Sequence, residues 1–169
     1  MMIRPATEQD SEILTEISFS SKNYWHYPAQ YFEIWKNELT ITCEYIRKNY
    51  VQIIETNGEI VGYYSIVELE NDLEISNFTM RKGTWLEHVF IRPDFIGKGY
   101  GKKLMQHLIS STTKHHWKEL KILADPHSTG FYKKLGATYI KDIPSNIPDR
   151  TVSYFEWTPE NSSHLGPRK

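Results

Sequence analysis

Apolar positions along the chain change their spacing several times, and each change marks the border of an element. Ile13, Leu14 and Ile17 recur at helical spacing behind Thr7 and Asp10, a capping-box-like pair. The pattern therefore predicts a strand near Ile3 and a helix from 8 to about 21. Helical segments are expected between 28 and 48, followed by a strand at 50–55. Asn57-Gly58 is the strongest turn signal in the chain and predicts a hairpin into a second strand at 59–68. A polar connection comes next. Apolar and aromatic residues dominate 86–91, and Pro93, which lacks an N–H, ends the ladder, so a strand is expected at 84–92. Leu104, Met105, Leu108 and Ile109 share one face of a helix at 100–116. A strand at 120–124, a short helix and two closing strands near 137–143 and 152–157 complete the order, with Pro144 and Pro148 bracketing the last connection. Alternating strands and helices of this kind predict a mixed α/β sheet.

Composition narrows the classes. A chain of 169 residues with 39% hydrophobic content suits one domain, expected over 1–158, with a polar and frayed tail at 159–169. A net charge of −1 argues against a sequence-independent nucleic-acid binder, which needs a broad basic surface. No apolar run approaches the roughly 20 residues that span a bilayer, and no signal-peptide core opens the chain. The expectation is a cytoplasmic protein with neither a nucleic-acid nor a membrane partner; a homodimer is left open. Cys43 is the only cysteine, so no intrachain disulfide forms, and its place in a helical stretch at 41–48 predicts a buried, inert thiol. The seven histidines, His115-His116 included, have no metal-ligand spacing, and no metal is expected.

The densest chemistry lies between the strand at 84–92 and the helix at 100–116. Gly97, Gly99 and Gly101 remove three β-carbons where a strand turns into a helix. N–H groups at a helix start have no partner within the helix and sit at the positive end of its dipole. Lys98, Lys102 and Lys103 add mobile positive charge, so a phosphate ligand is the natural occupant; a tight connection is the plainer reading of the same glycines. Two familiar nucleotide motifs are excluded. No Ser or Thr follows Gly101 as a Walker A loop demands, and Lys102 stands where a dinucleotide fingerprint needs its third glycine.

Ile91-Arg92-Pro93 followed by Ile96-Gly97-Lys98-Gly99-Tyr100-Gly101 resembles the cofactor loop of the GNAT-type, acetyl-CoA-dependent N-acetyltransferases, with Ile96 where the family has Gln or Arg. Downstream, Asp125-Pro126-His127-Ser128-Thr129-Gly130-Phe131-Tyr132-Lys133-Lys134-Leu135-Gly136-Ala137 resembles the family's short helix with its F-Y-x-x-x-G pattern. Ser128 or Thr129 can cap that helix, Phe131 and Leu135 share a face, and Gly136 suits its end. Ile3-Arg4-Pro5-Ala6-Thr7 with Asp10 resembles the family's first strand and helix entry, so the likeness covers about the whole chain and is weakest at 18–50.

The resemblance implies a mixed, mostly antiparallel central sheet of six to seven strands flanked by helices. Its two central neighbours, here 84–92 and 120–124, would splay apart to pair with a pantetheine arm. It implies acetyl-CoA as co-substrate and direct attack by a primary amine of a small molecule or peptide. Cofactor contacts would come from Val89, Phe90, Ile91, Gly97, Lys98, Gly99, Tyr100, Gly101, Lys102, His127 and Tyr132, with a backbone N–H among Val89, Phe90 and Ile91 holding the oxyanion. Tyr132 matches the family tyrosine that protonates the departing thiolate, a phenol of pKa about 10 against a thiol near 8.5.

An alkylammonium with a pKa near 10 must lose its proton to attack, so a base is needed. Glu87 lies about 17 Å from Arg92 along an extended chain, a length similar to a pantetheine arm, and it matches the base of several family members. A solvated strand-face glutamate is the alternative reading. His88 points to the other strand face, where packing is expected. Tyr24, Trp25 and Tyr27, with Tyr31, Phe32 and Trp35 nearby, form an aromatic segment where the family commonly walls its acceptor pocket. They would hold a cationic amine by cation–π attraction, with Glu33 or Glu38 adding charge, or simply pack the helices. A non-catalytic acyl-CoA-binding domain and an interaction module built on the aromatic segment are the competing functions.

Overall fold

Thr7 and Asp10 close the pair expected of them: the Thr7 N–H donates to Asp10 Oδ2 at 2.7 Å, and Arg4 Nη1 donates to the same oxygen at 2.9 Å. A 3₁₀ turn at Glu8–Asp10 then opens into α1 (Ser11–Asn23). The computed structural model describes residues 1–75 and 78–159. Its strands are β1 (Met2–Pro5), β2 (Tyr50–Thr56), β3 (Glu59–Leu69), β4 (Leu73–Ile75), β5 (Phe78–Met80), β6 (Gly83–Ile91), β7 (Leu120–Ala124), β8 (Thr138–Pro144) and β9 (Thr151–Trp157). The further helices are α2 (Ala29–Leu39), α3 (Cys43–Lys48), α4 (Tyr100–His115) and α5 (Thr129–Leu135). The expected tail lies outside the described residues from 160 onward.

Seven strands form one sheet in the order β1-β2-β3-β6-β7-β9-β8. β1 with β2, β2 with β3, β7 with β9 and β8 with β9 run antiparallel, while β6 and β7 run parallel. The mixed, mostly antiparallel sheet flanked by helices is therefore the one expected. Among the described residues the register of β6 with β7 is the pair Trp85 and Lys121, which is what splayed neighbours leave. Asn57 and Gly58 turn between β2 and β3 at φ of 51° and 76°, the left-handed conformation their hairpin signal requires.

Contacts divide the chain into two compact units, Met1–Ile66 with His88–Met105, and Val67–Glu87 with the chain from Gln106 onward. In the first, Leu14 and Ile17 of α1 pack with Ile41, Ile46, Val51, Ile53 and Tyr63. Burying each such aliphatic side chain contributes about 1.5–3 kcal/mol. In the second, Trp85, Ile143 and Tyr154 form the cluster, joined by Leu69, Phe78, Met80, Leu123 and Val152.

Two expectations need correction. The connection after β3 is not merely polar: β4 and β5 pair as a small antiparallel sheet, and Phe78 and Met80 of β5 enter the second cluster. Cys43 is exposed rather than buried. It opens α3 against the preceding 3₁₀ turn, where its Sγ lies 3.5 Å from Glu8 O and 3.6 Å from Ser11 Oγ, and Ile46 takes the buried position.

Candidate active site

In the first unit, β6 ends against β3. The Arg92 N–H donates to Val61 O at 2.8 Å, and Arg92 Nη1 meets Glu59 Oε1 at 2.6 Å. Behind Pro93 a 3₁₀ turn at Pro93–Phe95 leads into the glycine loop. Gly97 and Gly99 adopt φ of 79° and 88°, which L side chains rarely take. A Cβ on either would meet no atom within 4 Å, so the loop leaves space beside both glycines. The first helical bond of α4 runs from the Lys103 N–H to Gly99 O at 3.1 Å. N–H groups earlier in the first turn have no carbonyl one turn back to bind. Lys98 and Lys102 are exposed, and Lys98 Nζ lies 5.5 Å from the Phe95 ring. Open space, free-standing donors, a helix dipole and cations fit the pyrophosphate of coenzyme A. Gly101 is an ordinary helical residue of α4, and Tyr100 meets Phe95 edge to face at 5.5 Å.

Sequence reasoning missed Gly62 of β3. A Cβ there would come within 2.5 Å of Ile91 Cδ1 and 2.7 Å of Phe90 O, so only glycine lets β6 lie where Val89, Phe90 and Ile91 are. The isolated glycine inside a strand pattern was the available signal. His88 is buried as expected, between Phe90 at 5.3 Å, Tyr45 at 6.0 Å and Tyr63 at 6.2 Å. Burial pushes its pKa down to about 4, so the imidazole is neutral at physiological pH. Tyr63 bonds Ser18 Oγ at 2.6 Å and Tyr45 bonds Ser65 Oγ at 2.8 Å, completing a buried polar layer.

The aromatic segment also belongs to this unit. Tyr24 and Trp25 are 43% and 40% exposed and meet edge to face at 4.8 Å. Tyr27 packs instead on Trp35 at 5.1 Å. Lys22 Nζ lies 4.5 Å from the Trp35 ring and 5.8 Å from Tyr27, so a lysine of the chain itself takes the cation position on these rings.

The second unit holds Glu87, His127 and Tyr132. Glu87 is exposed on β6, on the face opposite buried Leu86 and His88. Asp125 caps the 3₁₀ turn at Pro126–Ser128, and Ser128, in the cap position of α5, makes no side-chain cap bond. Asp125 Oδ1 accepts the His127 N–H at 2.9 Å, and its Oδ2 accepts from Arg150 Nη2 at 2.8 Å. The hydroxyls of Ser128 and Thr129 donate to carbonyls one turn back instead. The His127 side chain is exposed. Tyr132 sits in α5, 6% exposed, against Phe131 at 5.2 Å and Phe155 at 6.0 Å. Burial first, and the Asp125 charge second, hold its phenol well above the ordinary tyrosine value. Gly136 ends the helix at φ 95°, as its position predicts.

Among the described residues no group of three or more His, Cys, Asp or Glu could hold a metal ion, and no helix is long and apolar enough to cross a membrane. Residues 13–137 match the model of the Acetyltransferase (GNAT) family. The chain is 25% identical over 140 residues to the 5-NmdU N-acetyltransferase of Pseudomonas phage PaMx11, covering 82% of this chain and 87% of that protein. Its fold is similar to that of the PaiA N-acetyltransferase from Thermoplasma acidophilum in complex with coenzyme A, with a TM-score of 0.72 at 17% identity over 93% of this chain and 98% of the other. The Salmonella typhimurium protein yncA with its cofactor acetyl-CoA gives a TM-score of 0.66 at 22% identity, with 94% of each chain covered.

Proposed function

The chain belongs to the GNAT acetyltransferase family, and from that premise we propose that it transfers an acetyl group from acetyl-CoA to a primary amine of a small molecule or peptide by direct attack in a ternary complex. The observation that carries this reading is the loop before α4, with Gly97 and Gly99 in left-handed backbone and open space beside them. Acetyl-CoA supplies the activated thioester.

The roles of the chain's own groups follow from their chemistry. Backbone N–H groups from Gly97 to Lys102 bind the pyrophosphate, and Lys98 and Lys102 screen its charge. A backbone N–H among Val89, Phe90 and Ile91 donates to the thioester oxygen as it gains charge. Glu87, exposed on its strand, takes the proton of the attacking amine directly or through one water. The new C–N bond forms as the C–S bond breaks, and Tyr132 donates to the departing sulfur. Since the phenol is held above its ordinary value, it always carries the required proton at neutral pH. An ordinary phenol is already a weaker acid than a thiol near 8.5 and the shift widens the gap, so its main contribution is a hydrogen bond, with net protonation of sulfur completed by water. The exposed His127 lines the pantetheine arm in this reading.

Cys43 supports direct attack. It is the chain's one thiol, and its Sγ faces Glu8 O and Ser11 Oγ, neither of which is a base that could activate it. Tyr24 and Trp25 present the acceptor surface. Because Lys22 already covers Tyr27 and Trp35, the acceptor reaches Tyr27 only if that lysine moves. The name of the phage relative places 5-NmdU in the panel of amines to be tried. Initial rates measured with both substrates varied test the kinetic scheme: intersecting double-reciprocal lines support a ternary complex, and parallel lines overturn it.

A further inference from the structure

Asp125 and Arg150 are 25 residues apart in sequence, yet their side chains are only 14% and 13% exposed and meet at 2.8 Å. Desolvating two charges is costly, and a buried pair of this kind often contributes little net stability. The connection between β8 and β9 is nevertheless wound around the arginine. The Ser145 N–H donates to Arg150 O at 2.9 Å, and the Arg150 N–H donates to Ile147 O at 3.2 Å. Ser145 Oγ accepts the Ile147 N–H at 3.0 Å, Ile147 is 2% exposed, and Asp149 is held at φ 61°. Arg150 is thus fixed from its own backbone outward.

Its partner is equally committed. One Asp125 oxygen takes the guanidinium and the other takes the His127 N–H, while the Ser128 N–H donates to Asp125 O at 2.8 Å. These bonds set the turn at Pro126–Ser128, and α5 starts on the next residue, with Tyr132 one turn in. A continuous run of short bonds leads from Arg150 to the helix that carries the phenol.

We propose that Arg150 is a positioning residue for acetyl transfer: through Asp125 it fixes the start of α5 and so aims the Tyr132 hydroxyl at the departing sulfur. This rests on the role given to Tyr132 above. It goes beyond it by assigning a function to Arg150, which lies outside every motif named above. Arg150 also offsets the Asp125 charge beside the phenol, so losing the guanidinium both loosens the turn and leaves an uncompensated carboxylate near Tyr132.

A kinetic cycle tests this with the wild type, Tyr132→Phe, Arg150→Met and the double variant, each with kcat at saturating substrates, the coenzyme A Kd and Tm measured. Tyr132→Phe is expected to lower kcat about 100-fold. Arg150→Met is expected to lower it about 10-fold to 100-fold, the scale of a misplaced catalytic group. The double variant should then be no slower than Tyr132→Phe alone, because Arg150 has nothing left to position. Arg150→Lys keeps the charge but not the planar fork, and should fall between wild type and Arg150→Met. If Arg150→Met does not fold, Arg150→Lys completes the same cycle.

Multiplicative losses in the double variant, or a lowered Tm with kcat intact in Arg150→Met, would overturn the inference while leaving the role of Tyr132 standing. An unchanged kcat in Tyr132→Phe would instead remove that role, and the inference with it.

Discussion

Replacing Gly99 by alanine separates the cost of a left-handed backbone from the cost of blocking a phosphate. Gly58, at the β2–β3 turn, is the internal control: both glycines have positive φ, 88° and 76°, and neither has an atom within 4 Å of a built Cβ. Each alanine should therefore lose about 1–2 kcal/mol of stability for the same reason. At this chain length that is a fall in Tm of about 2–8 °C. Only Gly99 stands in the loop before α4. Coenzyme A at 100 times its Kd stabilises the wild type by about 2.7 kcal/mol. Losing one hydrogen bond to a charged phosphate costs about 1.5–3 kcal/mol, or roughly 10-fold to 100-fold in Kd. At the same concentration the ligand would then stabilise Gly99→Ala by only about 0.4–1.4 kcal/mol. Thermal shift with and without coenzyme A reads both quantities. Gly58→Ala should keep the full ligand-induced shift, and Gly99→Ala should lose at least half of it. A full shift in Gly99→Ala, or an equal loss in Gly58→Ala, would refute the phosphate assignment.

Tyr132→Phe should lower kcat about 100-fold while the coenzyme A Kd measured by calorimetry holds; equal losses in both would contradict a role confined to the sulfur. Glu87→Gln should remove the acidic limb of the pH–rate profile, since a base works only when deprotonated, and an unchanged profile would place the base elsewhere. Gly62→Ala should cost about 1–3 kcal/mol in denaturant unfolding, because its Cβ would press on the Phe90 carbonyl and Ile91; wild-type stability there would contradict the close approach of β3 and β6. Burial lowers the His88 pKa from 6.5 to about 4, with the Glu38 charge opposing the shift and the Lys22 charge adding to it. As pH falls through that window the unfolded chain binds a proton that the folded chain refuses, so up to about 3 kcal/mol of stability is lost. His88→Phe should flatten this part of the Tm–pH curve, and an unchanged slope would refute the assignment.

The legible parts of the fold were those fixed by neighbouring residues. The Thr7–Asp10 pair, the Asn57-Gly58 turn, the glycine loop and the Gly136 helix end each depend on backbone conformation within a few positions, and each formed where the sequence put it. What escaped depended on contacts across the chain or on elements too short to show a period. Leu73–Ile75 and Phe78–Met80 give three residues each, too few for alternation to stand out. Cys43 is exposed because of what α3 packs against, which its own helical pattern does not encode. Asp125 caps a 3₁₀ turn ahead of α5 and is met by Arg150 from 25 residues away, neither of which the local pattern shows. Lys22 covering Trp35 and Tyr27 is likewise invisible in a segment that reads simply as aromatic. The glycine loop was therefore readable as a motif, whereas the contacts around Tyr132 and the close approach of Gly62 to the β6 backbone were not.

The central claim is amine-dependent turnover of acetyl-CoA, and its most direct measurement is free-thiol release with acetyl-CoA against primary amines, N-terminal peptides and 5-NmdU. The account predicts release that depends on an amine and falls sharply in Tyr132→Phe. Release absent across the panel, with acetyl-CoA binding confirmed by thermal shift, would contradict it in favour of an acyl-CoA-binding domain without turnover.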